Sequence, residues 1–450
     1  MALQAVWTSL QTATITTNAR HQMSACSSCQ SAMFMNVFSG LRIGRASSLC
    51  SLASPQQSVA ETRVALQTSG VDQTSTRSQQ YLNAPVLSKG VQKVDSGNKF
   101  LLGKSEEELV DLAVNLGEQK YRGKQIHQLL YKTRAISIDD FHHLPKVFKE
   151  VLLSEGWQVG RSAVHHVARS TDGTTKILLR LADNLLVETV GIPVQDKKGA
   201  ITRLTACVSS QVGCALRCAF CATGKGGFSR NLKPHEIVEQ VLAIEDLFKH
   251  RVSNVVFMGM GEPMMNLPNV LAAYRSLNKD IMIGQRMMTI STVGVPNTIA
   301  KLATHKLQCT LAISLHAPNQ ELRSQIVPSA RGYPLEALLL DCRNYFLETG
   351  RRVSFEYTLL DGVNDRPEHA EELANLLHHW KLGRHVNVIP YNPISDSEFR
   401  RPKKAAVMAF VEALGARKVT ASIRQTRGLD ANAACGQLRN DFQKVPMAAV

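Results

Sequence analysis

The chain has 450 residues and an apolar content of 44%, so it is long enough for more than one domain and can bury a sizeable core. Its formal net charge of +15 fits a partner that carries phosphate groups, although such an excess also serves solubility. No apolar run approaches the roughly 18 residues that a membrane-spanning helix needs, so we expect a soluble protein with no membrane partner.

The first 98 residues differ in composition from the rest. Residues 1–60 contain no Asp or Glu, and they carry Arg20, Arg42 and Arg45 among many Ser, Thr and Ala residues. This composition is typical of an organelle transit peptide, with an ordinary disordered tail as the alternative. Residues 61–98 are polar and rich in Ser, Gln and Gly, which predicts a disordered linker.

Helical signals begin just after Phe100. Ser105 and Glu108 have the spacing of a capping box and predict the start of a first helix. A second, basic helix is predicted over 121–133 and a third over 145–154. Together they predict a small helical accessory domain over 99–160.

A β-rich extension is predicted next, over 161–200. The pattern of its three strand-like runs predicts antiparallel pairing. We therefore expect a short antiparallel sheet before the region that begins at residue 201. They cover 161–168, 175–181 and 185–192.

From residue 201 onwards, strand and helix patterns alternate. Strands are predicted at 204–209, 254–258, 287–291, 309–315, 353–359, 385–390 and 419–424. Helices are predicted at 234–249, 266–279, 296–304, 334–349, 367–381 and 402–415.

Six successive strand–helix units predict an α/β fold with a parallel sheet, which we interpret as a partial (β/α)6 barrel over 201–428. An open doubly wound sheet is the competing architecture. In barrels of this kind, chemistry lies at the carboxyl ends of the strands.

Three of the ten cysteines have the spacing of cluster ligands. Cys214, Cys218 and Cys221 follow the first strand of the alternating region and are separated by three and two residues. Three thiolates can each bind one iron of a [4Fe–4S] cubane and leave the fourth iron open. That iron can chelate S-adenosylmethionine, so the motif predicts a radical enzyme. A structural zinc site is the alternative, but such sites usually have four protein ligands. The chain is too long and its cysteines too clustered for a secreted disulfide framework.

Polar residues stand at the ends of the later strands. The run Met258-Gly-Met-Gly-Glu262-Pro places two glycines and a carboxylate after the second strand. Ser291 ends the third strand, Ser314-Leu-His316 the fourth, and Asn392 follows the sixth. Side chains of this kind suit the ammonium, ribose and adenine of S-adenosylmethionine, although each alone could be an ordinary strand-end residue.

Four motifs resemble those of the bacterial 23S rRNA adenine-C2 methyltransferases, which belong to the radical S-adenosylmethionine superfamily and also modify tRNA. They are Cys207-Val-Ser-Ser-Gln-Val-Gly-Cys214 through Cys221-Ala-Thr-Gly, Met258-Gly-Met-Gly-Glu-Pro, Ser314-Leu-His-Ala-Pro and Ala433-Ala-Cys435-Gly-Gln-Leu. The resemblance covers residues 100–440. Residues 222–231 read Ala222-Thr-Gly-Lys-Gly-Gly-Phe-Ser-Arg-Asn. This segment is similar to that of the cyanobacterial members of the family, which favours the plastid stroma over a mitochondrion.

The resemblance implies a role for individual residues. Cys214, Cys218 and Cys221 would hold the cluster, Cys435 would become S-methylated, and Cys207 would be the second essential cysteine. Glu188 matches the position of a proton acceptor. The S-adenosylmethionine pocket would be lined by Gly261, Glu262, Ser291, Ser314, Leu315, His316 and Asn392. The segment 429–450 would be a catalytic-cysteine loop with a C-terminal tail.

The implied chemistry explains the two further cysteines. Carbon C2 of adenine is electron-poor and is no nucleophile, so a methyl group on Cys435 must first become a carbon radical that adds to C2. The base then loses its C2 proton, and Cys207 attacks the Cys435 sulfur to release the product as a disulfide forms. A reductant such as ferredoxin or flavodoxin would restore the thiols and supply the electron.

The implied partners are rRNA and tRNA, and we expect a monomer. The target base must leave its stack or lie in an unpaired loop. Basic residues that could hold phosphates are Lys120, Arg122, Lys124, Lys225 and Arg230. Three other functions remain open at this point: methylation of adenine at C8, a radical reaction on a substrate other than RNA, and a role in RNA binding or cluster assembly without catalysis.

Overall fold

The computed structural model describes residues 99–383, 385–395 and 397–439. The predicted transit peptide and linker lie outside these residues. Within them, no helix has both the length and the apolar character needed to cross a membrane.

Three helices open the described chain, as predicted. They are α1 (Glu106–Asn115), α2 (Lys120–Tyr131) and α3 (Lys146–Ser154), with the short paired strands β1 (Lys99–Phe100) and β2 (Trp157–Gln158) beside them. The capping box is present, because the Ser105 hydroxyl accepts from the Glu108 amide at 3.2 Å and the Glu108 carboxylate accepts from the Ser105 amide at 2.7 Å. The apolar faces of these helices join the same buried cluster as the sheet, so the helical segment shares its core with the rest of the fold.

Four antiparallel strands follow: β3 (Ala163–Arg169), β4 (Thr175–Arg180), β5 (Leu186–Gln195) and β6 (Ile201–Cys207). The first three confirm the predicted β extension strands. The fourth, β6, is also the first strand of the parallel region, because its other edge pairs in parallel with the next long strand. The extension is therefore continuous with the main sheet.

A small paired segment carries the cysteine motif. It consists of β7 (Gln211–Gly213), the single-turn helix α4 (Ala222–Lys225) and β8 (Phe228–Asn231), with β7 and β8 antiparallel. Gly213 is required at the turn, because its φ is +78° and an added Cβ would lie 1.9 Å from the Gly227 carbonyl oxygen. The glycine thus fixes the direction in which the motif leaves β7.

Strands and helices then alternate as predicted, with one further short helix, Gln320–Ile326, that the sequence analysis did not predict. The strands are β9 (Asn254–Phe257), β10 (Met288–Thr292), β11 (Thr310–Ser314), β12 (Val353–Leu359), β13 (His385–Pro390) and β14 (Thr420–Ile423). The helices are α5 (Pro234–Phe248), α6 (Leu267–Lys279), α7 (Thr298–Thr304), α8 (Gln320–Ile326), α9 (Leu335–Thr349), α10 (Pro367–His379) and α11 (Lys404–Ala416).

The order of the ten-stranded sheet decides between the two predicted architectures. Strands β6, β9, β10, β11, β12, β13 and β14 are neighbours in the order of the sequence, and all these pairs are parallel. A doubly wound sheet would reverse its order at a switch point. The sequential order is that of a singly wound partial barrel, so the predicted (β/α)6 barrel is confirmed and the doubly wound alternative is wrong.

Candidate functional site

A cavity of about 650 Å³ lies at the carboxyl ends of the parallel strands. This volume falls within the range of typical ligand pockets. Most of the residues predicted from the sequence line it: Cys207, Cys214, Cys218, Cys221, Gly261, Glu262, Ser291, Ser314, His316, Asn392 and Cys435. The fold therefore brings together residues that are more than two hundred positions apart in the chain.

The cysteine motif forms a tight loop between β7 and α4. The Cys214 amide donates to the Gly227 carbonyl at 2.8 Å, and the Cys221 amide donates to the Cys218 carbonyl at 3.1 Å. Burial raises the pKa of Cys214 to about 12 and that of Cys218 well above its ordinary value. Thiols in such surroundings stay protonated until a metal replaces the proton.

The three thiols suit a cluster better than a single ion. Among residues 99–383, 385–395 and 397–439, no three His, Cys, Asp or Glu side chains are close enough together to hold one metal ion. A cubane places each thiolate on a different iron, so its ligands need not converge on one point. The all-sulfur donor set and its position on the cavity wall fit a [4Fe–4S] cluster that Cys214, Cys218 and Cys221 would hold.

Glu262 connects the ends of two neighbouring strands. One carboxylate oxygen accepts from the Met264 amide and the other from the Val293 amide, both at 3.0 Å. Burial raises the pKa of this carboxyl, and the two amide bonds oppose the shift. Each oxygen can accept a further bond, so the carboxylate remains a possible partner for an ammonium group in the cavity.

Gly261 lets the backbone approach the adjacent strand. Its φ is +98°, and an added Cβ would lie 2.5 Å from Cβ of Gln211. The Gln211 side chain in turn accepts from the Glu262 amide at 2.8 Å. Glycine is thus needed for the turn that presents Glu262 to the cavity.

The ends of β10 and β11 carry a group of polar side chains. The Ser291 and Ser314 hydroxyls are 3.3 Å apart. His316 Nδ1 accepts from the Thr358 amide at 3.1 Å, and burial lowers the pKa of this imidazole to about 3. The ring is therefore neutral and carries its proton on Nε2, where it can serve as a hydrogen-bond donor.

Arg323, which the sequence analysis missed, fixes these strand ends. Its buried guanidinium donates to the Leu315 carbonyl at 3.1 Å and to the Val293 carbonyl at 2.6 Å. Arg323 lies on α8, and nothing in its local sequence distinguishes it from a surface arginine. Its role depends on contacts that only the folded chain reveals.

Two predicted residues lie away from the cavity wall. The Leu315 side chain is fully buried in the apolar core, its amide donates to the Glu356 carbonyl at 3.0 Å, and its carbonyl accepts from Arg323 at 3.1 Å. Its contact with S-adenosylmethionine stays a prediction. Glu188 lies on β5 beside a second cavity of about 250 Å³ and forms an ion pair with Lys176 at 3.0 Å. Whether it accepts a proton stays a prediction.

Cys435 lies on a loop that we call the Cys435 loop, residues 428–438. Its start is held by the β3–β4 turn, where Asp172 accepts from the Gly428 amide at 2.9 Å. Its end is held near the cysteine motif, because the Ala222 amide donates to the Gly436 carbonyl at 2.7 Å. Between them, Asn392 donates to the Cys435 carbonyl at 3.0 Å. These contacts place Cys435 on the cavity wall next to Cys221, the residue before Ala222.

Cys207 and Cys435 share this cavity with a cation that the sequence analysis did not identify. Arg424 also lines the cavity and lies 4.0 Å from the Glu356 carboxylate. Burial raises the pKa of Cys207 to about 12, and the positive charge of Arg424 opposes the shift at both cysteines. All seven cysteines of the described chain are free thiols. Arg424 thus favours the thiolate form that a nucleophilic sulfur requires.

One of the predicted phosphate-binding residues is already engaged. The Arg230 guanidinium donates to Asp183 at 2.6 Å and to both oxygens of Glu236 at 2.8 Å. A bidentate pair of this kind occupies the donors that a phosphate would need. The ion pairs of Arg230 are more extensive than those of Arg122 with Glu118 or Lys124 with Glu106, so we leave Arg230 out of the phosphate contacts proposed below.

We expect Gly428→Ala to displace the Cys435 loop. The φ of Gly428 is +72°, and an added Cβ would lie 2.8 Å from both the Ala433 Cβ and the Thr174 Cγ2 atoms. Strain of this kind costs about 1–3 kcal/mol. The loop should move to relieve it, so S-methylation of Cys435, measured by mass spectrometry of the protein, should fall.

Gly199→Ala is the matched control for this prediction. Gly199 also has a positive φ, +83°, but an added Cβ would have no neighbour within 4 Å. It should therefore carry the backbone strain without the steric conflict, and Cys435 methylation should persist. Equal methylation of Cys435 in the two variants would contradict the inference that close packing at Gly428 fixes the Cys435 loop.

Comparison with known proteins agrees with this geometry. Residues 208–377 match the Radical SAM superfamily. Proteins named "Probable dual-specificity RNA methyltransferase RlmN" from Acaryochloris marina and Synechocystis sp. are 55% and 56% identical, each over 75% of this chain and 94% of the relative. A radical SAM methyltransferase from Sphaerobacter thermophilus has 41% identity and a TM-score of 0.71 over 76% of this chain and 99% of that one. This chain therefore belongs to the dual-specificity RNA methyltransferase family of the radical SAM superfamily.

Proposed function

We propose that this chain methylates carbon C2 of adenine in 23S-type rRNA and in tRNA by a radical reaction through S-methylated Cys435. The observation that carries the proposal is that five cysteines line one cavity. Three lie on the β7–α4 loop, and Cys207 and Cys435 lie on two other segments. The names of the cyanobacterial relatives support RNA as the substrate and more than one RNA class.

The cavity residues divide into two groups by their chemistry. Cys214, Cys218 and Cys221 would hold the [4Fe–4S] cluster, and the strand-end residues from Gly261 to Asn392 would hold S-adenosylmethionine. When bound, these groups supply an activated methyl group, an electron and a hydrogen-abstracting carbon radical. The protein residues supply the methyl carrier, the proton acceptor and the thiol that releases the product.

Cys435 is the methyl carrier in this proposal. Cys435 is an exposed residue that lines the cavity. Loss of water contact raises the pKa of its thiol, and the charge of Arg424 opposes that shift and so favours the nucleophilic thiolate. A methyl group on this sulfur would lose one hydrogen atom to the hydrogen-abstracting radical, and the resulting carbon radical would bond to C2 of adenine. The adduct radical would then give up its C2 proton to a base and one electron to the one-electron carrier, which leaves a closed-shell thioether. The protein and the RNA would then be covalently joined through the Cys435 sulfur.

Cys207 is the releasing thiol. When its sulfur attacks the Cys435 sulfur, an S–S bond forms, the bond from Cys435 sulfur to the methylene carbon breaks, and the thiol proton ends on that carbon as a methyl hydrogen. Both cysteines line the same cavity as free thiols. Each turnover leaves a disulfide, so an external dithiol or protein reductant must restore it before the next. Ferredoxin or flavodoxin fits the separate need for an electron donor.

The remaining segments fit an RNA enzyme of an organelle. We assign 99–160 as an RNA-binding accessory region, 161–200 as the β extension, 201–428 as the barrel and 429–450 as the catalytic-cysteine segment and tail. Lys120, Arg122, Lys124 and Lys225 are the basic residues proposed to contact phosphates, and the protein is proposed to act as a monomer. The cyanobacterial relatives and the basic first 60 residues support a location in the plastid stroma.

One assay tests the proposed function. The cluster is reconstituted without oxygen in the full chain, and S-adenosylmethionine, a reductant and separate rRNA and tRNA substrates are supplied. After digestion, we expect 2-methyladenosine by mass spectrometry, and none from the Cys435→Ala variant. Finding 8-methyladenosine instead would favour the C8 reaction, and an intact cluster with no methylated base would favour a substrate other than RNA.

A further inference from the structure

The buried Arg323 lies beside the cysteine motif as well as at the strand ends. It is on α8, and three residues further along this helix the Ile326 carbonyl accepts from the Ala219 amide at 2.9 Å. Residues three apart on a helix share a face, with their Cβ atoms about 5–6 Å apart. Ala219 directly follows Cys218, which packs against the buried apolar group that contains Ile326. The face of α8 that carries Arg323 therefore contacts the cysteine motif.

Arg323 is a buried cation whose hydrogen bonds go to backbone carbonyls. Only 1% of the residue is exposed, and its guanidinium donates to the carbonyls of Leu315, Val293 and Ser314 at 3.1, 2.6 and 3.4 Å. Burial lowers the pKa of Arg323 to about 10, so the guanidinium stays charged at neutral pH. A buried charge without a counter-charge is costly, so we expect an anion close to it in the working protein.

One group near Arg323 can become that anion. In the part of the chain that the structure describes, the ionisable groups that act on the guanidinium are Cys218, Cys342 and Tyr333, with no Asp or Glu among them. Burial raises the pKa of Tyr333 and that of Cys342, so both groups stay neutral. Burial also raises the pKa of Cys218, but iron would replace its proton and leave a thiolate. The counter-charge of Arg323 is therefore the cysteine motif in its iron-bound state.

We propose that Arg323 raises the reduction potential of the [4Fe–4S] cluster, because its charge stabilises the negative charge that the cluster gains with one electron. This inference rests on the proposed function, which assigns the cluster to Cys214, Cys218 and Cys221. One electron passes from the one-electron carrier, which is oxidised, to the cluster, which is reduced, and no proton moves and no covalent bond changes. Arg323 does not line the larger cavity, so it acts through its charge and not by contact with S-adenosylmethionine or RNA.

A redox titration of the reconstituted full chain tests this proposal. The reduced cluster is measured by electron paramagnetic resonance as a function of the applied potential, without S-adenosylmethionine or RNA. Arg323→Met removes the charge and keeps most of the side-chain length, whereas Arg323→Lys keeps the charge. Arg351→Met is the matched control, because Arg351 also donates to a backbone carbonyl, that of Cys309 at 3.5 Å, but at the opposite ends of the parallel strands.

We expect Arg323→Met to lower the midpoint potential by about 59 mV or more, which is a tenfold or greater loss in the one-electron reduction equilibrium. A unit charge roughly 10 Å away, in surroundings with an effective dielectric constant of about 20, has an effect of this size. Arg323→Lys should remain within about a twofold change of the wild-type equilibrium, since it keeps the charge. Arg351→Met should match the wild type, and the iron content should be the same in all four proteins.

Two results of the titration would overturn the proposal. They are an unchanged potential in Arg323→Met at full iron content, and equal shifts in Arg323→Met and Arg323→Lys, which would indicate lost hydrogen bonds rather than lost charge. If Arg323→Met assembles too little cluster to titrate, Arg323→Gln takes its place, because its amide can still donate to a strand-end carbonyl. Failure of both variants to assemble a cluster would make Arg323 a structural residue of the motif and would also contradict the proposal.

The proposed function is judged separately, by the 2-methyladenosine that the wild type forms from RNA. If the wild type forms this product and Arg323→Met has an unchanged potential, only the inference about Arg323 fails. If Arg323→Met shows the expected shift and the wild type forms no 2-methyladenosine, only the proposed function fails.

Discussion

Replacing Cys207 by alanine should stop turnover after one event and leave the protein covalently attached to its RNA. The reason is chemical: the bond between the Cys435 sulfur and the methylene carbon breaks only when a second sulfur attacks. Cys207 lines the cavity that contains Cys435, whereas the other non-cluster cysteines among the described residues, Cys309 and Cys342, are wholly buried elsewhere in the core. Denaturing electrophoresis with labelled RNA would show the adduct as a shifted, nuclease-sensitive band.

Cys309→Ala is the control for this experiment. It removes a buried thiol from the start of β11 at a cost of about 1 kcal/mol in unfolding free energy, and it should turn over normally without an adduct. If Cys207→Ala continued to release methylated RNA at the wild-type rate, Cys207 would not be the releasing thiol.

Replacing Cys218 by alanine should remove the cluster and all methylation, including that of Cys435. Cys218 is the middle residue of the motif, and its thiol is enclosed by the loop and by Cys214 and Cys221. Two remaining thiolates leave two irons of a cubane without protein ligands, so assembly should fail. Iron and sulfide analysis, visible absorption and product mass spectrometry together measure the loss.

The expected pattern distinguishes this variant from an unfolded one. Circular dichroism should remain that of the wild type, because the motif lies on a loop outside the parallel sheet. Cys309→Ala, reconstituted in parallel, should retain full iron content. A Cys218→Ala protein with wild-type iron content and activity would show that this cysteine is no cluster ligand.

The sequence predicted those parts of the fold that depend on local patterns. Strand β10 and helix α9, for example, have bounds close to the predicted 287–291 and 334–349. Periodicity and capping signals are local, so one sequence suffices to read them. The sequential order of the parallel strands follows from the alternation of strands and helices, which favours short connections of one hand.

Contacts between distant segments could not be predicted in this way. Lys176 and Asn432 are 256 positions apart, and no feature near either residue indicates the other. Arg323 likewise lies in a segment for which the sequence predicts no element, although its guanidinium bonds the ends of two strands. The motif predicts Leu315 next to the cofactor, and only the folded chain shows that its side chain packs in the apolar core.

The Cys435 loop shows how the fold converts separate motifs into one site. Its contacts come from three regions, namely the β3–β4 turn at Asp172, the cysteine motif at Ala222 and the end of β13 at Asn392. The β extension therefore helps to position the Cys435 loop, since Asp172 holds the beginning of the loop and Lys176 donates to the Asn432 carbonyl within it. A barrel without this extension would lack both groups.

The most direct test of the account follows the hydrogens of the transferred methyl group. The full chain is reconstituted and given S-adenosylmethionine with a fully deuterated methyl group in ordinary water, and the methylated adenine is analysed by mass spectrometry. If the methyl group passes through Cys435, loses one deuterium to a radical and gains one proton on release, the product carries two deuterium atoms. A product that retains all three would show direct transfer to the base and would contradict the proposed reaction.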